Sequence, residues 1–286
     1  GNFIGNYAQG NFANGGAIYN SGIIGNITGN FIGNIGQGIH NYNGKIGDIK
    51  GNFINNYAKS NSDRLYSRVQ GGAIYSNYFS EIGNISGNFV ENYTNSENGN
   101  STGGAIFNGE GTTKDIKGNF ISNYSISKNS DSYGGAISNY STGSGVFTVK
   151  IQSVIGDFIS NYSQSQNGYA SGGAISNYVD ENFFTGPAII NSVKGSFVKN
   201  HVKSIQGSAI GGAISNNSNI TYIYSSIGYV NGDFIENFAD SALSEAKGGA
   251  IYNLNGYIEN IVNSNFINNF AKSETGTAQG GAIYTN

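Results

Sequence analysis

The residues that could perform acid–base chemistry are few and widely spaced. Asp157 and Asp233 replace the Asn that usually precedes a recurring Phe, and Asp48 and Asp115 share a position in another recurring segment. Sites that cleave polysaccharides need two or three carboxylates on one face, often with Arg, Lys or calcium. We interpret these Asp residues as replacements for Asn at solvated positions. The alternative is a polysaccharide lyase or glycoside hydrolase.

Histidine, metal and cofactor chemistry is equally sparse. The two His residues, His40 and His201, occupy positions where most other copies of the same motifs have an aromatic ring or Ser, and we expect both to pack as ring substitutes. Cys is absent, which excludes disulfides, thiol catalysis and Cys-ligated zinc. No phosphate-binding loop, dinucleotide fingerprint or metal-ligand spacing is present. The sequence therefore predicts no catalytic residue, no metal and no cofactor.

Candidate binding residues lie where copies of the repeat differ in length, because variable loops on a rigid scaffold often carry specificity. The extra residues fall in about 140–150, 178–190 and 217–227, in three consecutive repeats, so we expect them to project side by side as one ledge. The alternative is that they cover each other or an apolar flank. The candidate ledge residues are Phe147, Asp180, Glu181, Phe183, Phe184, Tyr222 and Tyr224.

Positive charge is scarce and scattered. The net charge is −3 and the 14 Lys and Arg residues form no patch, so we expect no nucleic acid or anionic membrane as partner. Both Arg residues, Arg64 and Arg68, lie in one longer segment, 57–70. They are candidates for contact with a glycan or a neighbouring subunit, and the alternative is a solvated loop.

The elements that must position these residues are copies of one repeat. A Phe-x-x-Asn unit occurs nine times and a Gly-Gly-Ala-Ile unit eight times, and the two alternate. A β-branched residue lies four positions before each Phe from Phe31 onward. Short β-branched segments bounded by Gly, Asn and Ser are typical of strands. The sequence predicts an all-β solenoid of about nine coils with three strands each, roughly 43 Å long at a strand spacing of ~4.8 Å.

Two rows of side chains should run along this solenoid. The Asn of each Phe-x-x-Asn unit is expected near a corner, where stacked Asn side chains bond to each other and to the turn backbone. The residue after it is expected to face outward as an aromatic stripe. The Asn row is Asn6, Asn34, Asn56, Asn92, Asn123, Asn161, Asn200, Asn237 and Asn269. The stripe is Tyr7, Tyr57, Tyr93, Tyr124, Tyr162, Phe238 and Phe270, with Ile35 and His201 at the same position.

The recurring Phe and the Ile or Val that follows it cannot both point inward in a flat strand, because successive side chains alternate. Either the chain turns a corner there, or one of the two residues forms an exposed apolar ladder.

Strict alternation of Gly-Gly-Ala-Ile and Phe-x-x-Asn is the repeat pattern of the polymorphic outer membrane proteins, best known from chlamydiae. The chain resembles that family over nearly its whole length. The resemblance implies a right-handed, single-stranded parallel β-helix. It further implies export as the passenger of an autotransporter and display on a bacterial surface as an adhesin. The chain departs from chlamydial members in having no Cys.

We therefore expect one β-solenoid domain over residues 1–286, within a longer repeat protein because the chain starts inside a repeat and without Met. The leading hypothesis is a non-enzymatic extracellular protein of the bacterial cell surface, an adhesin or spacer. Its partners would be glycans, or surface proteins of a host or neighbouring cell. The alternative is a filament subunit that stacks end to end through its terminal coils. No apolar stretch approaches the ~20 residues of a membrane span.

Overall fold

The chain folds into a parallel β-solenoid. The computed structural model describes residues 1–8, 15–60, 68–141, 148–180 and 186–286, and these residues form strands, turns and bends without a helix. Each strand pairs in parallel with its copies in the preceding and following turns. The predicted fold class is thus confirmed. The expectation of three strands per turn is wrong, because the described strands form five sheets.

The sheets are numbered here in the order in which the chain enters them. Sheet 1 comprises Phe3–Ile4, Phe31–Ile32, Phe53–Ile54, Phe89–Val90, Phe120–Ile121, Phe158–Ile159, Phe197–Val198, Phe234–Ile235 and Phe266–Ile267. Sheet 2 comprises Tyr57–Ser60, Tyr93–Ser96, Tyr124–Ser127, Tyr162–Ser165, His201–Ser204, Phe238–Ser241 and Phe270–Ser273. Sheet 3 comprises Val69–Gln70, Ser101–Thr102, Ser132–Tyr133, Ala170–Ser171, Ala209–Ile210, Ala246–Lys247 and Ala278–Gln279.

The remaining two sheets follow the Gly-Gly-Ala-Ile unit. Sheet 4 comprises Ile18–Asn20, Ile39–Tyr42, Ile74–Asn77, Ile106–Gly109, Ile137–Ser141, Ile175–Val179, Ile214–Ser218, Ile251–Leu254 and Ile283–Thr285. Sheet 5 comprises Ile23–Ile24, Ile27–Thr28, Lys45–Ile46, Ile49–Lys50, Glu81–Ile82, Ile85–Ser86, Thr112–Lys117, Val149–Ile155, Ala188–Lys194, Ser225–Asn231 and Tyr257–Val262.

Fewer turns are complete than the nine expected. Within the described residues, six turns contribute a strand to every sheet, and they begin at Phe53, Phe89, Phe120, Phe158, Phe197 and Phe234. The turns beginning at Phe3, Phe31 and Phe266 contribute to fewer sheets among these residues. The degenerate unit after Phe31 still keeps the register, because Ile39 pairs with both Ile18 and Ile74.

Sheets 2 and 3 were not predicted because their inward side chains are mostly Ser, Thr and Ala, which give no pattern of large aliphatic residues. Inside the solenoid these hydroxyls bond to one another. The Ser101 hydroxyl donates to Thr94 Oγ1 at 2.8 Å, and the hydroxyls of Ser125 and Ser132 lie 2.8 Å apart. Segments with little hydrophobic pattern become strands because they stack on the equivalent segments of neighbouring turns. Those segments supply the hydrogen bonds that their backbone groups need.

The apolar core is a stack of the recurring Phe rings with the aliphatic residues of sheets 4 and 5. Adjacent Phe ring centroids lie 4.4–4.8 Å apart and the rings are nearly parallel. The Ile or Val after each Phe is half-exposed or exposed, as Ile4 is at 62%. The next residue has φ between 53° and 62° in all nine copies. Both predicted alternatives therefore occur: the chain turns a corner, and an outer apolar ladder forms.

The predicted Asn ladder is present on the inner side of that corner. Asn123 illustrates its bonding. Its Oδ1 accepts from the backbone N–H and the Nδ2 of Asn92, both at 3.0 Å. Its Nδ2 donates to Asn161 Oδ1 at 3.0 Å and to the Phe89 carbonyl at 2.9 Å. The side chains from Asn34 to Asn237 in this row are fully buried, so each one depends on these four bonds.

A second buried Asn ladder, which the sequence analysis missed, runs through sheet 4. The Nδ2 of Asn108 donates to Asn139 Oδ1 at 2.7 Å, and the same bond continues through Asn177 and Asn216 to Asn253. These Asn residues come two positions after the Ile of Gly-Gly-Ala-Ile. They face inward with that Ile, since side chains two apart in a strand share a face.

The predicted aromatic stripe forms a continuous ring stack on the outer face of sheet 2. From Tyr57 to Phe270, neighbouring ring centroids lie 4.6–5.1 Å apart. His201 takes its place in this stack, between Tyr162 and Phe238, as expected of a ring substitute. Tyr7 lies beyond the stack and is 68% exposed, because its neighbour in the next turn is Ile35.

The two Gly residues between sheets 3 and 4 are required for different reasons. Gly134 has φ of 64°, which few other residues adopt. A Cβ on Gly135 would lie 2.1 Å from the Gly173 carbonyl oxygen and 2.4 Å from that of Tyr162. The second Gly therefore allows neighbouring turns to approach closely at this corner.

Candidate binding groove

An open groove of about 500 Å³ lies where sheet 3 meets sheet 4 on the outside of the solenoid. We call it the tyrosine groove. It is lined by rings from several turns and by side chains that can donate or accept hydrogen bonds. The lining rings are Tyr133, Tyr140, Tyr169, Tyr178 and Tyr252. The polar lining includes Asn100, Asp131, Asp180, Asn217, Asn219, Glu245 and Lys247.

The strand period places these rings. In the strand Ile137–Ser141, Ile137 lies in the core and Asn139 in the inner ladder, so Ser138 and Tyr140 face outward. Tyr133 reaches the same space from sheet 3. Its ring centroid lies 6.0 Å from that of Tyr140 and 5.1 Å from that of Tyr178. The corner between the two sheets therefore gathers rings from successive turns into one cluster.

The tyrosine hydroxyls are anchored to carboxylates. Tyr133 donates to Asp131 Oδ2 at 2.9 Å and Tyr140 donates to Asp180 Oδ2 at 2.8 Å. Burial, assisted by neighbouring Tyr and Asp groups, raises the pKa of both tyrosines well above their usual value. Both hydroxyls therefore stay protonated and hold the carboxylates in fixed positions.

At the C-terminal side of the groove, a pair of opposite charges replaces the Tyr–Asp pairs. The Lys247 ammonium lies 2.7 Å from a carboxylate oxygen of Glu245 and is largely covered, with 16% of its side chain exposed. The same ammonium sits 5.1 Å from the centroid of the Tyr284 ring. Tyr252 stacks on Tyr284 at 5.3 Å, and burial raises its pKa above the usual range. A cation, an anion and a ring face thus lie close together.

Several buried polar atoms of this region have no hydrogen-bond partner. They are the hydroxyls of Ser138, Ser176 and Ser215, all on the outward-facing side of sheet 4, and the Oδ1 of Asn217. Asn217 lines the groove and is only 7% exposed. A buried acceptor without a donor costs about 1–3 kcal/mol. Asn217 therefore has an unused hydrogen-bond acceptor at the wall of the groove.

The structure brings together only part of the residues predicted to bind. Asp180 lines the tyrosine groove. Arg68 lies in a smaller opening of about 250 Å³ beside His40, further toward the N-terminus along the same two sheets. The other predicted Arg, Arg64, lies outside the described residues. So do four predicted ledge residues: Phe147, Glu181, Phe183 and Phe184.

The three insertions do begin side by side, because Ser141, Val179 and Ser218 pair with one another in sheet 4. They are not simply longer loops, since part of each insertion extends a strand of sheet 5 to seven residues, as in Val149–Ile155. Where the third insertion is described, Ile220 packs on Val179 and Ala188. That contact fits the alternative that an insertion covers an apolar flank.

Tyr222 and Tyr224 are 62% and 56% exposed and do not line the tyrosine groove. Apart from Asp180, the residues that line it were not predicted. Part of their signal was available in the outward positions of sheet 4, where some turns hold a large ring and others a small polar residue. Differences in repeat length do not reveal this change of side-chain size at fixed positions.

Comparison with protein-family models, with curated proteins and with solved structures gives no match to this chain. In the part of the chain that the structure describes, no helix is long and apolar enough to span a membrane. No group of three or more His, Cys, Asp or Glu side chains among the described residues could hold a metal ion.

Proposed function

We propose that this solenoid is a non-enzymatic adhesin of a bacterial cell surface and that it binds glycans in the tyrosine groove. The observation that carries the proposal is the composition of the groove. Ring faces pack on saccharide C–H groups, and planar carboxylate and amide groups accept and donate the hydrogen bonds that hydroxyl-rich ligands need. Concave sites with aromatic walls and a few fixed polar groups are the usual form of small-ligand sites.

Binding is favoured over hydrolysis because the carboxylates of the groove are already engaged. Asp131 and Asp180 each accept a hydrogen bond from a Tyr, and Glu245 pairs with Lys247. A glycosidase needs one carboxyl group free to donate a proton and a second free to act as nucleophile or base. Carboxylates that are already hydrogen-bonded or ion-paired are better suited to binding a ligand than to transferring protons to it.

The surface location rests on the resemblance of the repeat to the polymorphic outer membrane proteins. Protease added to intact cells of the source bacterium tests it. The protein should be cleaved without cell lysis, and full protection until lysis would refute display on the surface.

Glycan binding is tested with the purified 286-residue chain on an array that carries neutral glycans and their acidic derivatives. Tyr169 is 54% exposed at the groove, so Tyr169→Ala should weaken binding without harming the fold. Tyr222→Ala, at an equally exposed Tyr outside the groove, is the matched control. Absence of binding to every glycan, or equal loss with both variants, would contradict the proposal.

A further inference from the structure

The outward rings of sheet 4 are interrupted in a single turn between Tyr178 and Tyr252. The strand between them, Ile214–Ser218, carries Ser215 and Asn217 at its outward positions. Asn217 is directly opposite Tyr178, and Ser215 is directly opposite Tyr252. A ring at either position would therefore stack on a neighbouring ring, as Tyr140 stacks on Tyr178 at 5.1 Å.

The gap has the height of one guest ring. At the position of Asn217 the neighbouring outward side chains are Tyr178 in one turn and Leu254 in the other, and the strands that carry them are two strand spacings apart, or roughly 9.6 Å. Tyr252 is opposite Ser215, two residues before Asn217, and borders the gap from the side. A ring in van der Waals contact above and below needs about 3.5–4.0 Å on each side. The tyrosine groove opens at this gap, since Asn217, Tyr178 and Tyr252 all line it.

Asn217 differs from its counterpart at the same repeat position, Asn77. Asn77 Nδ2 donates to the Tyr75 hydroxyl at 2.8 Å and its Oδ1 accepts from the Tyr78 N–H at 2.9 Å. Asn217 Oδ1 is as deeply buried and has no donor. The amide oxygen of Asn77 is therefore hydrogen-bonded within the protein. The amide oxygen of Asn217, which lies at the gap, is not.

The charge around the gap disfavours acidic ligands. Asp131, Asp180 and Glu245 line the groove, against the single ammonium of Lys247. The positive charge of Arg68 also acts on Tyr140. When Arg68 is counted, carboxylates still outnumber cations around the gap. Like charges brought together in a partly desolvated site cost free energy, so a uronate or sialate would be repelled.

We propose that this interruption is the subsite for one uncharged sugar ring of a glycan, packed between the Tyr178 ring and Leu254 and donating a hydroxyl or amide hydrogen to Asn217 Oδ1. The inference rests on the proposed glycan-binding function and narrows its ligand to neutral saccharides.

Three variants separate the elements of this proposal. Asn217→Leu removes the acceptor at similar volume, and it should lower affinity at least tenfold while the melting temperature stays unchanged or rises. Asn217→Tyr extends the ring cluster into the gap and should abolish binding. Asn77→Leu is the matched control at the same repeat position; it breaks two hydrogen bonds, so it should lower the melting temperature and leave glycan binding unchanged.

The probes are matched pairs on one array: lacto-N-neotetraose and its sialylated form, and a panel of neutral oligosaccharides with their uronate counterparts. Neutral members should bind at least tenfold better, and Asn217→Tyr should remove that binding. If no glycan binds, the proposed function itself fails. If glycans bind but acidic members are preferred, or if both Asn217 variants bind like the unmodified chain, the function stands and this subsite is refuted.

Discussion

At the scale of single residues, two polar rows border sheet 1, one exposed and one buried. The two rows need side chains with different hydrogen-bonding groups. Asn88, just before a recurring Phe, only accepts a bond through Oδ1 from the Asn119 N–H at 3.0 Å. Asp can do the same, and Asp157 and Asp233 occur in this row. The buried ladder needs each side chain to donate two bonds and accept two, and among standard side chains of this size only Asn can do both. Asp157 and Asp233 thus make the same bond as the Asn residues that they replace.

This difference gives a prediction. Asn123→Asp should lower the free energy of unfolding by about 3 kcal/mol or more, because it removes two donors and sets a carboxylate oxygen against the Asn161 Oδ1 and the Phe89 carbonyl. Asn88→Asp, which keeps its one accepted bond, should change it by no more than about 0.5 kcal/mol. Urea unfolding measures both. Equal losses for the two variants would contradict the assigned roles.

At the scale of the strand and the corner, close approach between turns decides which substitutions are tolerated. Gly135→Ala should destabilise the fold by about 3 kcal/mol or more, near or beyond the upper end for overpacking, because the added methyl meets backbone atoms of Tyr162 and Gly173 in the following turn. Thermal and urea unfolding of the soluble variant measure the loss.

The matched control for that prediction is Gly33→Asn. Gly33 has φ of 62° with open space around a built Cβ, and the equivalent positions in other turns hold Asn55 and Asn268. This change should alter the free energy of unfolding by about 0.5 kcal/mol or less. A Gly135→Ala variant as stable as Gly33→Asn would show that the turns can move apart at little cost.

The elements also show how much the sequence could predict. The Phe-x-x-Asn unit predicts the ring stack, the corner and the Asn ladder, because each of these features depends on one residue type that recurs at a constant position. Sheets 2 and 3 were not predictable in this way, since a segment such as Ser101–Thr102 becomes a strand by stacking on Ser132–Tyr133 in the next turn. The tyrosine groove was missed for a related reason: the role proposed for Asn217 depends on Tyr178 and Leu254 in the neighbouring turns.

At the scale of the whole molecule, rings from many turns share long stacks, and both His residues lie inside such stacks. His40 sits between Tyr19 at 5.1 Å and Tyr75 at 4.2 Å. Burial lowers the pKa of His40 to about 4. It lowers the pKa of His201 to about 4 as well, with Lys203 adding to the effect. The folded solenoid therefore disfavours protonation that the unfolded chain accepts at its ordinary pKa near 6.5.

The sign of the pH dependence follows. Stability is complete above pH ~6.5 and falls as the pH drops toward about 4, because only the unfolded chain binds the proton in that window. For His40 the loss is on the order of 3 kcal/mol. His40→Phe, which keeps a ring in the stack, should reduce the slope of unfolding free energy against pH between 6.5 and 5. Combining it with His201→Phe should flatten the curve further. An unchanged slope in the double variant would contradict this origin of acid sensitivity.

The buried Asn ladder also gives the molecule a chemical direction. Every described bond between Asn side chains of the ladder, from Asn6 to Asn269, runs from the Nδ2 of one turn to the Oδ1 of the following turn. Amide dipoles aligned head to tail add, as they do along a helix, and chains of hydrogen bonds polarise one another. The axis of the solenoid therefore has an acceptor side and a donor side. A turn can be added in one orientation only, which keeps neighbouring repeats parallel and in phase.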